Sequence, residues 1–242
     1  MKQPNRIMFT GPSGIGKTTL AKFVENIGGG DQPAWPFISG SVSDLLPNTK
    51  YETHEKMLSH DKRELYTQDF QILNLRKKLF INSDSFVSDR SFLDSAAYFL
   101  YKQSNSLPQC EMGHFLELCK MCLCQCCDKL IILNFTPYMV DNWVMEDNNK
   151  RILNKYFQEQ ISAIVLMILD NWGVEFSDSI VVDNSSFLSL SKTYKYGGYR
   201  LGVLKSIYGN VDILLIDEPE LDIRKYIISK QLGVKTVWPR KK

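Results

Sequence analysis

The sequence has almost no net charge: 29 Lys and Arg stand against 27 Asp and Glu, leaving +2. That balance excludes a strong overall field, so the charge total does not direct the chain to nucleic acid or to an anionic membrane. Long apolar runs are missing too. The longest, "LIILNF" (130–135) and "IVLMIL" (164–169), fall far short of the roughly 20 residues a bilayer requires. The opening "MKQPNRIMFTG" holds no apolar stretch of signal-peptide length. The expectation is a soluble, cytoplasmic protein with no membrane partner. No internal repeat, low-complexity tract or convincing linker occurs, so one large α/β domain is the default for 242 residues.

Cysteine is confined rather than scarce. All six lie between Cys110 and Cys127, in "CEMGHFLELCKMCLCQCC". Such crowding excludes a spread disulfide framework. Cys119-x-x-Cys122 with His114 nearby has zinc-ligand spacing. Yet Phe115, Leu116, Leu118, Cys119, Cys122, Leu123 and Cys126 recur at helical intervals, and free cysteine packs as a small hydrophobe. A core helix is favoured over a metal site.

Short apolar runs read as strands at 6–11, 36–39, 85–90, 129–135, 179–184 and 212–217, with a weaker one at 234–238. Helical patterns lie between them, at about 17–26, 53–78, 93–103, 112–127, 150–172 and 223–232. Continuous apolar strands alternating with helices predict a mainly parallel sheet covered on both faces. The fold class is α/β, with residues 1–195 as the core and 196–242 as a C-terminal β-α-β extension packed on the same domain.

Gly11-Pro12-Ser13-Gly14-Ile15-Gly16-Lys17-Thr18 fits G-x-x-x-x-G-K-[ST], the phosphate-binding P-loop, with an apolar strand before it and an amphipathic helix after it. A phosphate chain needs many donors at short range. Inward-turned backbone amides and a helix N-terminus provide them. In that motif Lys17 reaches the β- and γ-phosphates, Thr18 binds Mg²⁺, and Thr19 extends the helix start toward the α-phosphate. ATP with Mg²⁺ is therefore the expected cofactor pair, in a three-layer P-loop NTPase fold.

A second signal is "FVSDRSFLDSAAYFL" (86–100), an apolar strand ending in Asp89-Arg90-Ser91 before a helix. Ligands of open α/β sheets sit at the carboxyl ends of strands. Asp89 can there take a proton from an acceptor hydroxyl or hold metal-bound water, and Arg90 can neutralise phosphate charge. The plainer alternative is a helix-capping aspartate beside a surface arginine.

This combination resembles the P-loop small-molecule kinases: the deoxynucleoside and thymidylate kinases and, more closely, the nicotinamide riboside kinase-like group with its AAA-domain relatives common in phages. The resemblance rests on the P-loop, "DRSFLDSAAY", "LIILNFTP" (130–137), "VMEDNNKRILNKYFQEQ" (144–160) and "SIVVDN" (179–184), and spans roughly residues 6–190. It implies a catalytic base or metal-side carboxylate at Asp89, a phosphate-positioning arginine at Arg90, and a mobile lid at Lys150 and Arg151. Those lid charges are also consistent with a solvated helix start capped by Asp147. A nucleoside- or nucleotide-like acceptor would lie over loop 28–60, where Trp35, Phe37 and Tyr51 offer stacking surfaces and Glu52, His54 and Glu55 offer sugar contacts.

Two alternatives remain open. "NVDILLIDEPELD" (210–222) is similar to the Walker B segment of ABC-type ATPases, which would make Asp217 the metal ligand and Glu218 the water activator, although no LSGGQ signature is present. The basic end "KTVWPRKK" (235–242) suits contact with DNA, and so a kinase acting on a hydroxymethylated base within DNA. The acceptor and the oligomeric state are left undetermined by the sequence.

Overall fold

The computed structural model describes residues 4–29, 34–45, 61–103, 107–135, 155–181 and 198–234. The run RIMFT forms strand β1 (Arg6–Thr10), and helix α1 (Lys17–Ile27) follows the glycine-rich turn. Then come β2 (Phe37–Ile38), the short α2 (Val42–Leu45), α3 (Lys62–Ile81), β3 (Phe86–Ser88), α4 (Phe92–Gln103) and α5 (Gln109–Cys126). The chain continues through β4 (Lys129–Leu133), α6 (Lys155–Asn171), β5 (Ile180–Val181), β6 (Gly198–Ser206), β7 (Gly209–Ile216) and α7 (Leu221–Gln231). The helix expected from residue 53 begins in the described chain at Lys62, where Asp61 accepts hydrogen bonds from the amides of Arg63 (2.8 Å) and Glu64 (3.3 Å). Residues 53–60 lie outside the described residues.

The strands form one seven-stranded sheet in the order β2-β3-β1-β4-β7-β6-β5. Neighbours from β2 to β7 pair in parallel, while β6 runs antiparallel to both β7 and β5. Residue alternation feeds two cores, as a strand's two-residue period demands. Ile7, Phe9, Ile131, Leu133, Leu214 and Ile216 join α1 and α7 in one apolar cluster. Met8, Leu130, Ile132, Ile213 and Leu215 join α3, α4, α5 and α6 in the other. The three-layer α/β architecture follows.

The C-terminal segment differs from the strand-helix-strand unit expected at the sheet's edge. β7 is interior, between β4 and β6, and all of Ile213–Ile216 is buried. Its hairpin partner β6, "GYRLGVLKS", mixes glycine and charge among its apolar residues, so no apolar run announces it. The expected last strand at 235–238 lies outside the described residues.

Five of the six cysteines, Cys119, Cys122, Cys124, Cys126 and Cys127, are buried on α5 and at its end, while Cys110 and His114 are exposed. The crowded segment is a core helix. Among the described residues, no helix is long and apolar enough to cross a membrane.

Candidate active site

The site begins where β1 stops. Gly11 has φ +140°, and a Cβ there would stand 2.4 Å from the carbonyl oxygen of Leu133 on β4. Gly16 caps α1 at φ +92°, in the region that L side chains avoid. These two positions let the chain turn tightly against β4 and enter the helix with its amides exposed to the turn.

Three later elements grip the loop. From α4, the Tyr98 hydroxyl lies 3.0 Å from Ser13 Oγ. From α6, the buried Gln158 donates from Nε2 to the Ser13 carbonyl at 2.8 Å. From α7, the buried Arg224 donates from Nη1 to the Ile15 carbonyl at 2.8 Å and from Nε to the Glu218 carbonyl at 2.5 Å. Burial brings the Arg224 guanidinium down to about 10. The Ile15 side chain is buried in the same apolar cluster as Ile223, Ile227 and Ile228 of α7. Lys17 is buried and donates to the carbonyls of Gly11 (2.5 Å) and Pro12 (2.8 Å), so its ammonium lies folded along the loop.

Strand β3 lies directly beside β1, with Met8 opposite Ser88. That register carries Asp89 to the P-loop. Thr18 Oγ1 donates to Asp89 Oδ2 at 2.6 Å. The other oxygen, Asp89 Oδ1, is buried and accepts no hydrogen bond among the described residues. A hydroxyl and a carboxylate with one unused oxygen suit a hard divalent cation such as Mg²⁺, which takes oxygen ligands.

The turn after Asp89 is held by its own network. Asp94 Oδ2 accepts from the Ser91 amide at 2.8 Å, while Ser91 Oγ accepts from the amides of Leu93 (3.1 Å) and Asp94 (3.3 Å). This is a reciprocal capping box at the start of α4. Thr10 Oγ1 also donates to Asp94 Oδ2 at 2.8 Å. Arg76 of α3, buried, ties the turn to β2's exit. It donates to the Ser91 carbonyl at 3.1 Å, to the Gly40 carbonyl at 2.7 Å and to Ser95 Oγ, and burial lowers its guanidinium to about 10. Arg90 is half-buried, with Nη1 3.8 Å from Asp94 Oδ1. Burial opposes its charge, but Asp94, Tyr98 and Asp89 more than offset this and hold the guanidinium above its usual value.

Lys17, Thr18, Asp89 and Arg90 thus share one end of the sheet. Arg151 and Lys150, with Tyr51, Glu52, His54, Glu55 and the basic end 235–242, lie outside the described residues. Trp35 does not serve as a stacking surface: it is 1% exposed, packed in the core, and donates from Nε1 to the Pro4 carbonyl at 2.9 Å. Phe37 is half-buried, with Lys22 Nζ 5.9 Å above its ring. Asp217 gives its two oxygens to Asn134 (2.8 Å) and Arg200 (3.2 Å). Glu218 is buried and accepts from the Glu220 amide at 2.9 Å, and burial pushes its carboxyl up. Strand β7, which ends at this pair, is separated from β1 by β4.

Gln158 and Arg224 stand in no sequence motif, while Asp94 and Tyr98 lie within DRSFLDSAAY but are given no role by the sequence. Asp94 also left the S-x-x-D spacing from Ser91 as a local signal. A family model described as an AAA domain matches residues 6–180. No curated protein matches the chain.

Proposed function

Because the chain belongs to this AAA domain family, whose model covers well over half of it, we propose that it is an ATP- and Mg²⁺-dependent kinase that transfers the γ-phosphoryl group to a nucleoside- or nucleotide-like acceptor. The observation that carries this reading is the Thr18–Asp89 contact at 2.6 Å, with the second Asp89 oxygen buried and unpartnered. It places one carboxylate at the P-loop hydroxyl, on the strand next to the loop.

The P-loop amides and Lys17 bind the β- and γ-phosphates. Thr18, with Asp89 Oδ2 beside it, would hold Mg²⁺, which supplies charge neutralisation on the phosphate oxygens, leaving Oδ1 for the acceptor. Asp89 Oδ1 takes the proton of the acceptor hydroxyl as its oxygen bonds to the γ-phosphorus. The bond from that phosphorus to the β–γ bridging oxygen breaks, and ADP leaves with the electron pair. Arg90 neutralises charge on the moving group. Arg151 fills the same role from a lid, as the kinase resemblance implies. An ABC-like role for Asp217 and Glu218 is less well supported. Asp217 is engaged by Asn134 and Arg200, and Glu218 accepts from the Glu220 amide.

The test is transfer of radiolabelled γ-phosphate to a panel of nucleosides, nucleotides, nicotinamide riboside and duplex DNA bearing hydroxymethylated bases. A labelled small-molecule product lost in Asp89→Asn supports the proposal. A label fixed only in DNA moves the acceptor to a polymer. ATP hydrolysis without acceptor, lost in Glu218→Gln and kept in Asp89→Asn, overturns it in favour of an ABC-like ATPase.

A further inference from the structure

The capping box accounts for one oxygen of Asp94 and leaves the other unexplained. Oδ2 accepts from the Ser91 amide (2.8 Å), the Thr10 hydroxyl (2.8 Å) and the Ser91 hydroxyl (3.3 Å). A neutral amide oxygen would serve those donors as well. Oδ1 is buried and accepts no hydrogen bond among the described residues, yet it stands 4.0 Å from Lys17 Nζ and 3.8 Å from Arg90 Nη1. A buried charge is retained against its desolvation cost only where other charges face it. Two of the three cations that face it, Lys17 and Arg90, are assigned above to the phosphates, while the third, buried Arg76, holds the turn.

Two cations drawn toward one polyanion repel each other before it arrives. A carboxylate oxygen between them offsets that repulsion and keeps both on the same side of the cradle. Because neither cation hydrogen-bonds Oδ1, the restraint is electrostatic. Turning to a phosphate breaks no bond to Oδ1, although Lys17 must then leave the Gly11 and Pro12 carbonyls and Arg90 the Tyr98 hydroxyl. Thr10 adds precision, since its hydroxyl fixes the carboxylate to the last residue of β1 itself.

We propose that Asp94 is a positioning residue whose negative charge converges Lys17 and Arg90 on the transferring phosphoryl group. This rests on the γ-phosphoryl chemistry proposed above and goes beyond it by assigning a residue that touches neither substrate. Asp94→Asn is the direct test, because asparagine keeps the oxygen used by Ser91 and Thr10 and puts a neutral amide nitrogen where Oδ1 faces the cations. Two quantities are read: the Kd for Mg·ATP by calorimetry, and the rate of γ-phosphate loss. The rate is followed as transfer where an acceptor is found and as hydrolysis where none is, so failure of the kinase reading does not hide the result.

Asp94→Asn is expected to leave Kd within about threefold of wild type and to slow γ-phosphate loss by about tenfold or more. In an Arg90→Gln background the same change is expected to cost clearly less than in wild type, because one of the two cations it serves is gone. A rate within about twofold of wild type overturns the proposal. So does a parallel loss of binding and rate, or a cost in the Arg90→Gln background equal to that in wild type. Failure of Asp94→Asn to fold also overturns it, since the charge would then serve the fold rather than the cations.

Discussion

Thr18 and Asp89 are 71 residues apart in sequence and share a hydrogen bond. That pair decides what single substitutions should do. Lys17→Ala removes the buried ammonium that lies along the loop and is expected to reduce γ-phosphate transfer at least about a hundredfold, measured by initial rates with labelled ATP. Asp89→Asn keeps the shape and removes the basic oxygen. Its kcat is expected to fall by about 10²–10⁴-fold while the Kd for ATP moves less than about tenfold, read by steady-state kinetics beside calorimetry. The residue types of the P-loop are legible in the sequence because they answer a local demand: glycines where a Cβ would collide or φ is positive, and a lysine and a hydroxyl at the helix entry. Asp89 and Arg90 are legible because a strand end is a predictable place for chemistry. Gln158 and Arg224 are not, because a glutamine or an arginine on a helix looks the same whether it faces water or reaches a backbone carbonyl across the fold. Trp35 misleads for the converse reason: an aromatic in a loop resembles a binding surface until its burial is seen.

At the scale of elements, α7 is one of three helices that hold the P-loop. Arg224 joins the Ile15 carbonyl to the Glu218 carbonyl, and the Ile15 side chain shares a buried cluster with isoleucines of α7. Arg224→Met keeps the apolar stem and deletes the donors. It is expected to lower Tm by about 3–10 °C and to weaken ATP binding, followed by thermal unfolding with and without nucleotide. The same elements explain why the C-terminal part is harder to read than the N-terminal half. β1, β3 and β4 are continuous apolar runs, and each lies beside a strand predicted with it. β7 enters between β4 and β6 from late in the chain, and β6 carries Arg200 and Lys205 among its apolar residues. A chain ending before β6 removes β7 and leaves one edge of β4 unpaired along Lys129–Leu133. Such a truncation is expected to aggregate rather than yield a smaller folded domain, checked by gel filtration and circular dichroism.

For the molecule as a whole, the end of the sheet opposite the P-loop is closed by Asp128. Its carboxylate accepts from the amides of Asn5 (3.0 Å) and Arg6 (2.9 Å) and from the Arg6 guanidinium at 2.8 Å. Burial pushes this carboxyl up, but the Arg6 contacts and the Asn5 amide outweigh it, so it sits below the ordinary aspartate value. A carboxyl depressed in the fold adds stability that is present above its unfolded value, near 4, and is lost as pH falls through the folded one. Asp128→Asn is therefore expected to lower Tm by about 2–4 °C at neutral pH, with the gap to wild type closing below about pH 4, measured by calorimetry across pH.

The burial of five thiols around α5 has a practical consequence. Desolvation holds Cys119, Cys122, Cys124, Cys126 and Cys127 above the ordinary thiol value, while Cys110 alone is solvent-facing. An alkylating dye should therefore stop at one equivalent on the native fold. Uptake of the remaining equivalents would act as a clock for global opening, and a fluorophore seated at Cys110 would be a single-site reporter that needs no engineered cysteine.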